Sequence, residues 1–156
     1  MPIPTHLRGR AGQYVGRSKL HLSWLPEDER IRESASELHV DYDRNEKYAT
    51  ITYTWEEDGN REEGTLLVIG SESRNTVQMG WVDSWHQSAD VLFAKGDGFE
   101  SEAISATGTY PAPEGPDWSW RIGLEFPADN ELVLKMWNIS PEGEEEWAVE
   151  ARYKRA

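Results

Sequence analysis

The chain has 156 residues, the length of one domain that can bury about two-thirds of the surface its unfolded form exposes, with no need of a disulfide or metal. Its 29 acidic residues against 16 basic ones give a formal charge of −13, a field that repels nucleic acid and anionic membrane surfaces. There is no cysteine, which excludes thiolate metal sites, iron–sulfur clusters, cysteine nucleophiles and disulfides.

Met1 to Gly12 holds a histidine, two arginines and no apolar run. It reads as neither a secretory signal nor a membrane span, so residues 1–11 are expected to be a flexible lead and the protein to be cytoplasmic. Beyond it, turn signals recur at short intervals between runs rich in Thr, Val, Ile, Tyr and Trp with period-2 alternation. Ten runs follow in order, near 13–24, 34–42, 46–56, 62–70, 75–85, 89–95, 99–109, 117–126, 131–139 and 146–154. Short connectors such as Asp43-Arg44-Asn45, Glu57-Asp58-Gly59-Asn60, Pro127-Ala128-Asp129-Asn130 and Ser140-Pro141-Glu142-Gly143 favour sequential hairpins.

Alternation assigns each run an inner and an outer face. The first run turns Tyr14, Leu20, Leu22 and Trp24 inward, and the third does the same with Ile51, Tyr53 and Trp55. Val77, Met79, Trp81, Asp83 and Trp85 share one parity in the fifth, and Trp118, Trp120, Ile122, Leu124 and Phe126 share one in the eighth. In the tenth, Trp147, Val149, Ala151 and Tyr153 face in. The fourth run is ambiguous, and so is the ninth, where Leu132, Leu134 and Met136 compete with Val133, Trp137 and Ile139. The expected fold is therefore all-β, an antiparallel up-and-down barrel of about ten strands over residues 12–156, closed to hide its apolar face. A barrel of this strand number is wide enough to leave a cavity.

The first run carries Gly12-x-Tyr14-x-Gly16, which resembles the Gly-x-Trp opening of lipocalin-like (calycin) barrels with tyrosine for tryptophan. Gly80-Trp81-Val82-Asp83-Ser84-Trp85, with Ile139-Ser140-Pro141-Glu142-Gly143-Glu144 and Ala151-Arg152-Tyr153-Lys154-Arg155, resembles a bacterial family of calycin-type barrels catalogued as domain of unknown function 1579. The likeness spans roughly residues 12–155 and implies a lipocalin-like barrel, with no catalytic residue or ligand to carry over. The related nitrobindins bind haem through a histidine near the C-terminus, whereas this chain has no histidine after His86, which argues against haem.

Asp83 is the leading site residue, because its parity points a carboxylate into an apolar interior, where it must be paired or neutralised. It reads either as the polar anchor of a ligand and acid/base group, or as a structural cap paired with an arginine, Ser84 or turn amides. Seven of the eight tryptophans lie on inward parity, as core filler or as the walls of a pocket for a flat ligand. Trp81, Trp85, Trp118 and Trp120, with Tyr53 and Trp55, are the pocket candidates around Asp83. His21 and His39 fall on the polar face, and His6 lies in the lead. His86 is opposite Asp83 in parity, so the two form a dyad only if a bulge intervenes. Asp41-x-Asp43-x-Asn45 opens like a calcium loop, but Glu46 stands where glycine is needed, so no metal site is expected. The chain also lacks a Gly-x-Ser-x-Gly elbow, a phosphate-binding glycine loop and a His-Glu-x-x-His motif.

These residues lead to a protein that binds a small apolar or aromatic molecule in a tryptophan-lined cavity, without cofactor, nucleic acid or membrane. Two alternatives stand beside it. One is an enzyme using Asp83, with His86 or Tyr53, for proton transfer in the same cavity; the other is a filled barrel acting as an interaction module, a homodimer included.

Overall fold

The computed structural model describes residues 2–156, and among these ten strands close into one antiparallel barrel. They are β1 (Gly12–His21), β2 (Ile31–Tyr42), β3 (Ala49–Glu57), β4 (Asn60–Ser71), β5 (Thr76–Asp83), β6 (Gln87–Asp97), β7 (Ala103–Tyr110), β8 (Trp118–Glu125), β9 (Glu131–Ile139) and β10 (Glu145–Arg155). Each strand pairs with the next, and β1 closes the ring against β10 from Tyr14↔Arg155 to Leu20↔Val149. All ten expected runs correspond to strands. The first stops at His21, short of Trp24, because Leu22 to Arg30 leave the sheet around a 3-10 turn at Glu27–Glu29. Among the described residues no helix is long and apolar enough to cross a membrane.

Burial follows the alternation in most strands. The inner rows of Leu38 and Val40, Ile51 and Tyr53, Leu66 and Val68, Met79 and Trp81, and Ile122 and Leu124 are all buried. The ninth strand resolves in favour of Leu132, Leu134 and Met136 inside, while Trp137 lies outside under the Arg121 guanidinium, 4.3 Å from its ring centre. Two inward expectations fail. Trp24 is 71% exposed, because the chain has left the strand before reaching it. Trp147 is turned out by a bulge that sets Trp147 opposite Trp137 but Val149 opposite Met136, so its ring stacks on His21 at 4.5 Å instead of entering the core.

Residues 2–11, read from the sequence as a flexible lead, lie packed across one end of the barrel. Ile3 and Leu7 are fully buried there, Gly70 N donates to Pro2 O at 2.7 Å, and Thr5 N donates to Phe99 O at 3.0 Å. Arg10 is buried as well; its guanidinium donates to Ala128 O and Glu131 O and lies over Phe126. This end is stoppered by the chain itself. The opposite end, where β1, β3, β5, β7 and β9 finish, is covered only by its connections.

Candidate functional site

All eight tryptophans sit at that opposite end, each within three residues of a strand terminus or in a connection. Alternation alone does not reveal this, since it assigns a side and not a height. At the centre is Asp83, the last residue of β5 and only 2% exposed.

Three strands bring its partners in one row: Tyr53 on β3 faces Gly64 on β4, which faces Asp83 on β5. Gly64 has no side chain, so the phenol of Tyr53 lies across it; a Cβ there would stand 2.1 Å from the Tyr53 Cζ. Tyr53 OH then donates to Asp83 Oδ2 at 2.6 Å and accepts from Trp81 Nε1 at 2.9 Å, while Trp55 Nε1 donates to the same carboxylate oxygen at 3.3 Å. The other oxygen, Oδ1, accepts the amides of Trp85 and His86, both at 2.9 Å, and so caps the turn of residues 84–86. That turn folds the His86 ring back until Nδ1 is 3.6 Å from Oδ1. The strand has already ended, so parity no longer separates the two residues.

Burial alone would raise the Asp83 carboxyl, but the His86 ring, the Tyr53 hydroxyl and the His86 amide outweigh it and hold the group below the usual carboxylate range. Asp83 is thus a buried anion. Burial, and after it the charge of Asp83, pushes the Tyr53 hydroxyl well above its ordinary value, so it stays a donor. Nearby, burial pushes the Tyr153 hydroxyl up to about 12, and it shares a 2.7 Å hydrogen bond with Ser36.

Indoles enclose His86. Its ring centre lies 4.6 Å from that of Trp85, 5.3 Å from Trp55, 5.5 Å from Trp120 and 6.1 Å from Trp81. Trp81 and Trp120 stack at 5.3 Å with 10° between planes, and Trp120 Nε1 is buried with no hydrogen-bond partner among the described residues. Trp85 is 37% exposed and forms the outer wall. Trp118 is not gathered in; it is half-buried at the start of β8, opposite Tyr110.

Where a wide barrel suggested an open cavity, side chains fill most of the interior. Beneath His86 and Asp83 lies a void of about 10 Å³, measured as the space open to the centre of a water-sized sphere, bordered by Ser18, Leu20, Val149 and Tyr153. That is room for about one water molecule. Sequence reasoning missed Ser18, Gly64 and Tyr153; the glycine within an otherwise regular strand was the available signal. Among the described residues no three His, Asp or Glu side chains converge as metal ligands.

A closed ten-strand antiparallel barrel, stoppered at one end and carrying a buried carboxylate under indoles at the other, defines the class of molecule. The chain belongs to the family described as Protein of unknown function (DUF1579), whose model matches residues 12–155. Among solved structures it is similar to the crystal structure of Rv2717c from M. tuberculosis, at 14% identity and a TM-score of 0.67, covering 100% of this chain and 98% of that one. That likeness shows the fold alone. No curated protein matches the chain.

Proposed function

We propose that the chain is a small-molecule-binding barrel whose ligand is received at the indole end, above Asp83. The observation that carries this reading is a buried anion set under four indoles, one of which, Trp120, has its ring N–H buried and unpaired. Such a donor is costly to leave unmatched, and a ligand oxygen would match it. The enclosed void is too small for an aromatic molecule, so entry requires the 84–86 turn to yield. Trp85 and His86 are the side chains that would move, because they belong to a turn and not to the barrel wall. The neutral aromatic probe 2-naphthol should quench the indole fluorescence saturably, and Trp120→Ala and Trp85→Ala should each weaken the response. Unchanged quenching in both variants would refute this placement.

A second reading is favoured by one surface. On the outer face of β4 to β6, Leu67, Gly80 and Phe93 stand in one cross-strand row, with Val82 and Val91 beside it and Phe93 77% exposed. In a chain of net charge −13 this row carries no acidic side chain, and an exposed apolar patch of this kind suits self-association into a dimer. Sedimentation of a monomer at every concentration up to the millimolar range would rule that out.

A further inference from the structure

We propose that the indole end takes a small organic cation, a quaternary ammonium or protonated amine with an oxygen acceptor close by, which enters by displacing the His86 ring from its box. This rests on the reading of that end as the ligand site and names the chemistry it selects.

The box is built for a cation. The centres of Trp85, Trp55 and Trp120 lie 4.6 to 5.5 Å from that of the His86 ring, within the roughly 6 Å over which an indole attracts a positive charge, Trp81 follows at 6.1 Å, and His86 Nδ1 lies 3.6 Å from Asp83 Oδ1. The occupant is the ring of His86, which reaches this position from the 84–86 turn and not from the barrel wall. His86 therefore holds the place of a ligand from inside the chain. A ligand cation would inherit its position beside Asp83 Oδ1, whereas a neutral molecule of the same shape would displace the histidine and leave the carboxylate with one partner fewer.

The charge on the connections points the same way. At the indole end, the five segments joining strands carry eight acidic residues against one basic, Arg30; at the stoppered end, residues 2–11 and the four connections carry six against five. The approach to the box is thus the anionic pole of the barrel, which draws cations toward it and repels anions. Inside, Trp120 Nε1 asks for an acceptor atom, so a cation bearing a hydroxyl or carbonyl oxygen satisfies both demands.

His86 is placed to leave. It is the last residue of a three-residue turn, next to the exposed Trp85, and its backbone amide is held by Asp83 independently of its ring. Rotation of the side chain vacates the box without breaking that cap. The resident ring competes with the ligand, so apparent affinity is reduced by the fraction of molecules in which the box is filled.

The test uses choline and its neutral isostere 3,3-dimethylbutan-1-ol, in which carbon replaces the quaternary nitrogen, titrated into the full chain and followed by indole fluorescence and calorimetry. Choline should bind about tenfold more tightly than the alcohol, and His86→Ala, with its box already open, should bind choline about tenfold more tightly than wild type. Asp83→Asn should lose most of the preference for choline. Equal affinity for the two probes would overturn the cation assignment while leaving the indole end as a ligand site. A His86→Ala protein that binds choline no better than wild type would overturn the displacement. No saturable response to either probe, in wild type or in folded His86→Ala protein, while 2-naphthol still quenches saturably, would overturn this inference alone, and the further failure of 2-naphthol would overturn the function on which it rests.

Discussion

Replacement of Asp83 by asparagine keeps the shape of the side chain and removes one acceptor oxygen and the charge. In the native protein two carboxylate oxygens serve Tyr53 OH, Trp55 Nε1 and the amides of Trp85 and His86. Asparagine can keep its oxygen toward the two turn amides only by presenting its NH2 to Tyr53 and Trp55. The Tyr53 hydroxyl would then receive that NH2 as well as Trp81 Nε1 and have no acceptor for its own proton, while Trp55 Nε1 would face another donor. A buried donor left unmatched costs about 1–3 kcal/mol, so Asp83→Asn should destabilise the barrel by about 2 kcal/mol, or about 4–8 °C in Tm for a chain of this length. The pH dependence adds a second reading. The folded carboxyl lies below its unfolded value, so its stabilisation is fully present above the unfolded pKa of about 3.9 and is lost as pH falls through the lower folded value. Urea unfolding followed by indole fluorescence at pH 7 should show the full difference between wild type and variant, and that difference should shrink below about pH 4. Equal stability at pH 7, or a difference that stays constant through the acid range, would refute the buried-anion account.

Gly64→Ala should cost at least about 2 kcal/mol and alter the near-ultraviolet dichroism, since the new methyl would meet the Tyr53 ring and push its hydroxyl from Asp83; a silent substitution would show that the row from Tyr53 to Asp83 is not packed as described. Leu7→Ala should destabilise by about 2–5 kcal/mol, measured by urea unfolding, because Leu7 is fully buried in the stopper; a loss below about 0.5 kcal/mol would mean that the lead is not part of the core. On the alkaline side, burial pushes the hydroxyl of Tyr153 up to about 12 in the folded chain against about 10 unfolded, so it contributes no pH dependence at neutrality and a falling stability between those values, up to about 3 kcal/mol. Tyr153→Phe should flatten that limb of the stability curve; an unchanged limb would contradict the burial of this group.

The strands were legible because a barrel wall with one wet and one dry face writes period 2 into the chain, and the inward position of Asp83 followed from the same rule. Four features escaped it. The stopper combines Ile3 and Leu7 in a stretch broken by Pro2 and Pro4, with no strand or helix period to mark it. Trp147 was misassigned because one bulged residue reverses parity, and nothing in Glu146-Trp147-Ala148-Val149 announces a bulge. The approach of His86 to Asp83 depends on where β5 ends, which is set by the carboxylate capping its own turn. The filling of the barrel was also hidden, because parity counts inward side chains but not the height at which large ones accumulate. Trp55, Trp81 and Trp120 with the His86 ring leave little open space at one end, and Ile3 and Leu7 fill the other.

The most direct test of the indole end as the ligand site is a proton–nitrogen correlation spectrum of the indole N–H groups, recorded while choline or 2-naphthol is titrated. Each tryptophan reports its own position. The resonances of Trp120, Trp81 and Trp55 should shift saturably along with that of Trp85, while that of Trp24, its ring exposed to solvent in the 22–30 connection, stays in place. Shifts confined to Trp24, or backbone shifts confined to the outer row of Leu67 and Phe93 with the Trp120 resonance unmoved, would place binding elsewhere and contradict the account.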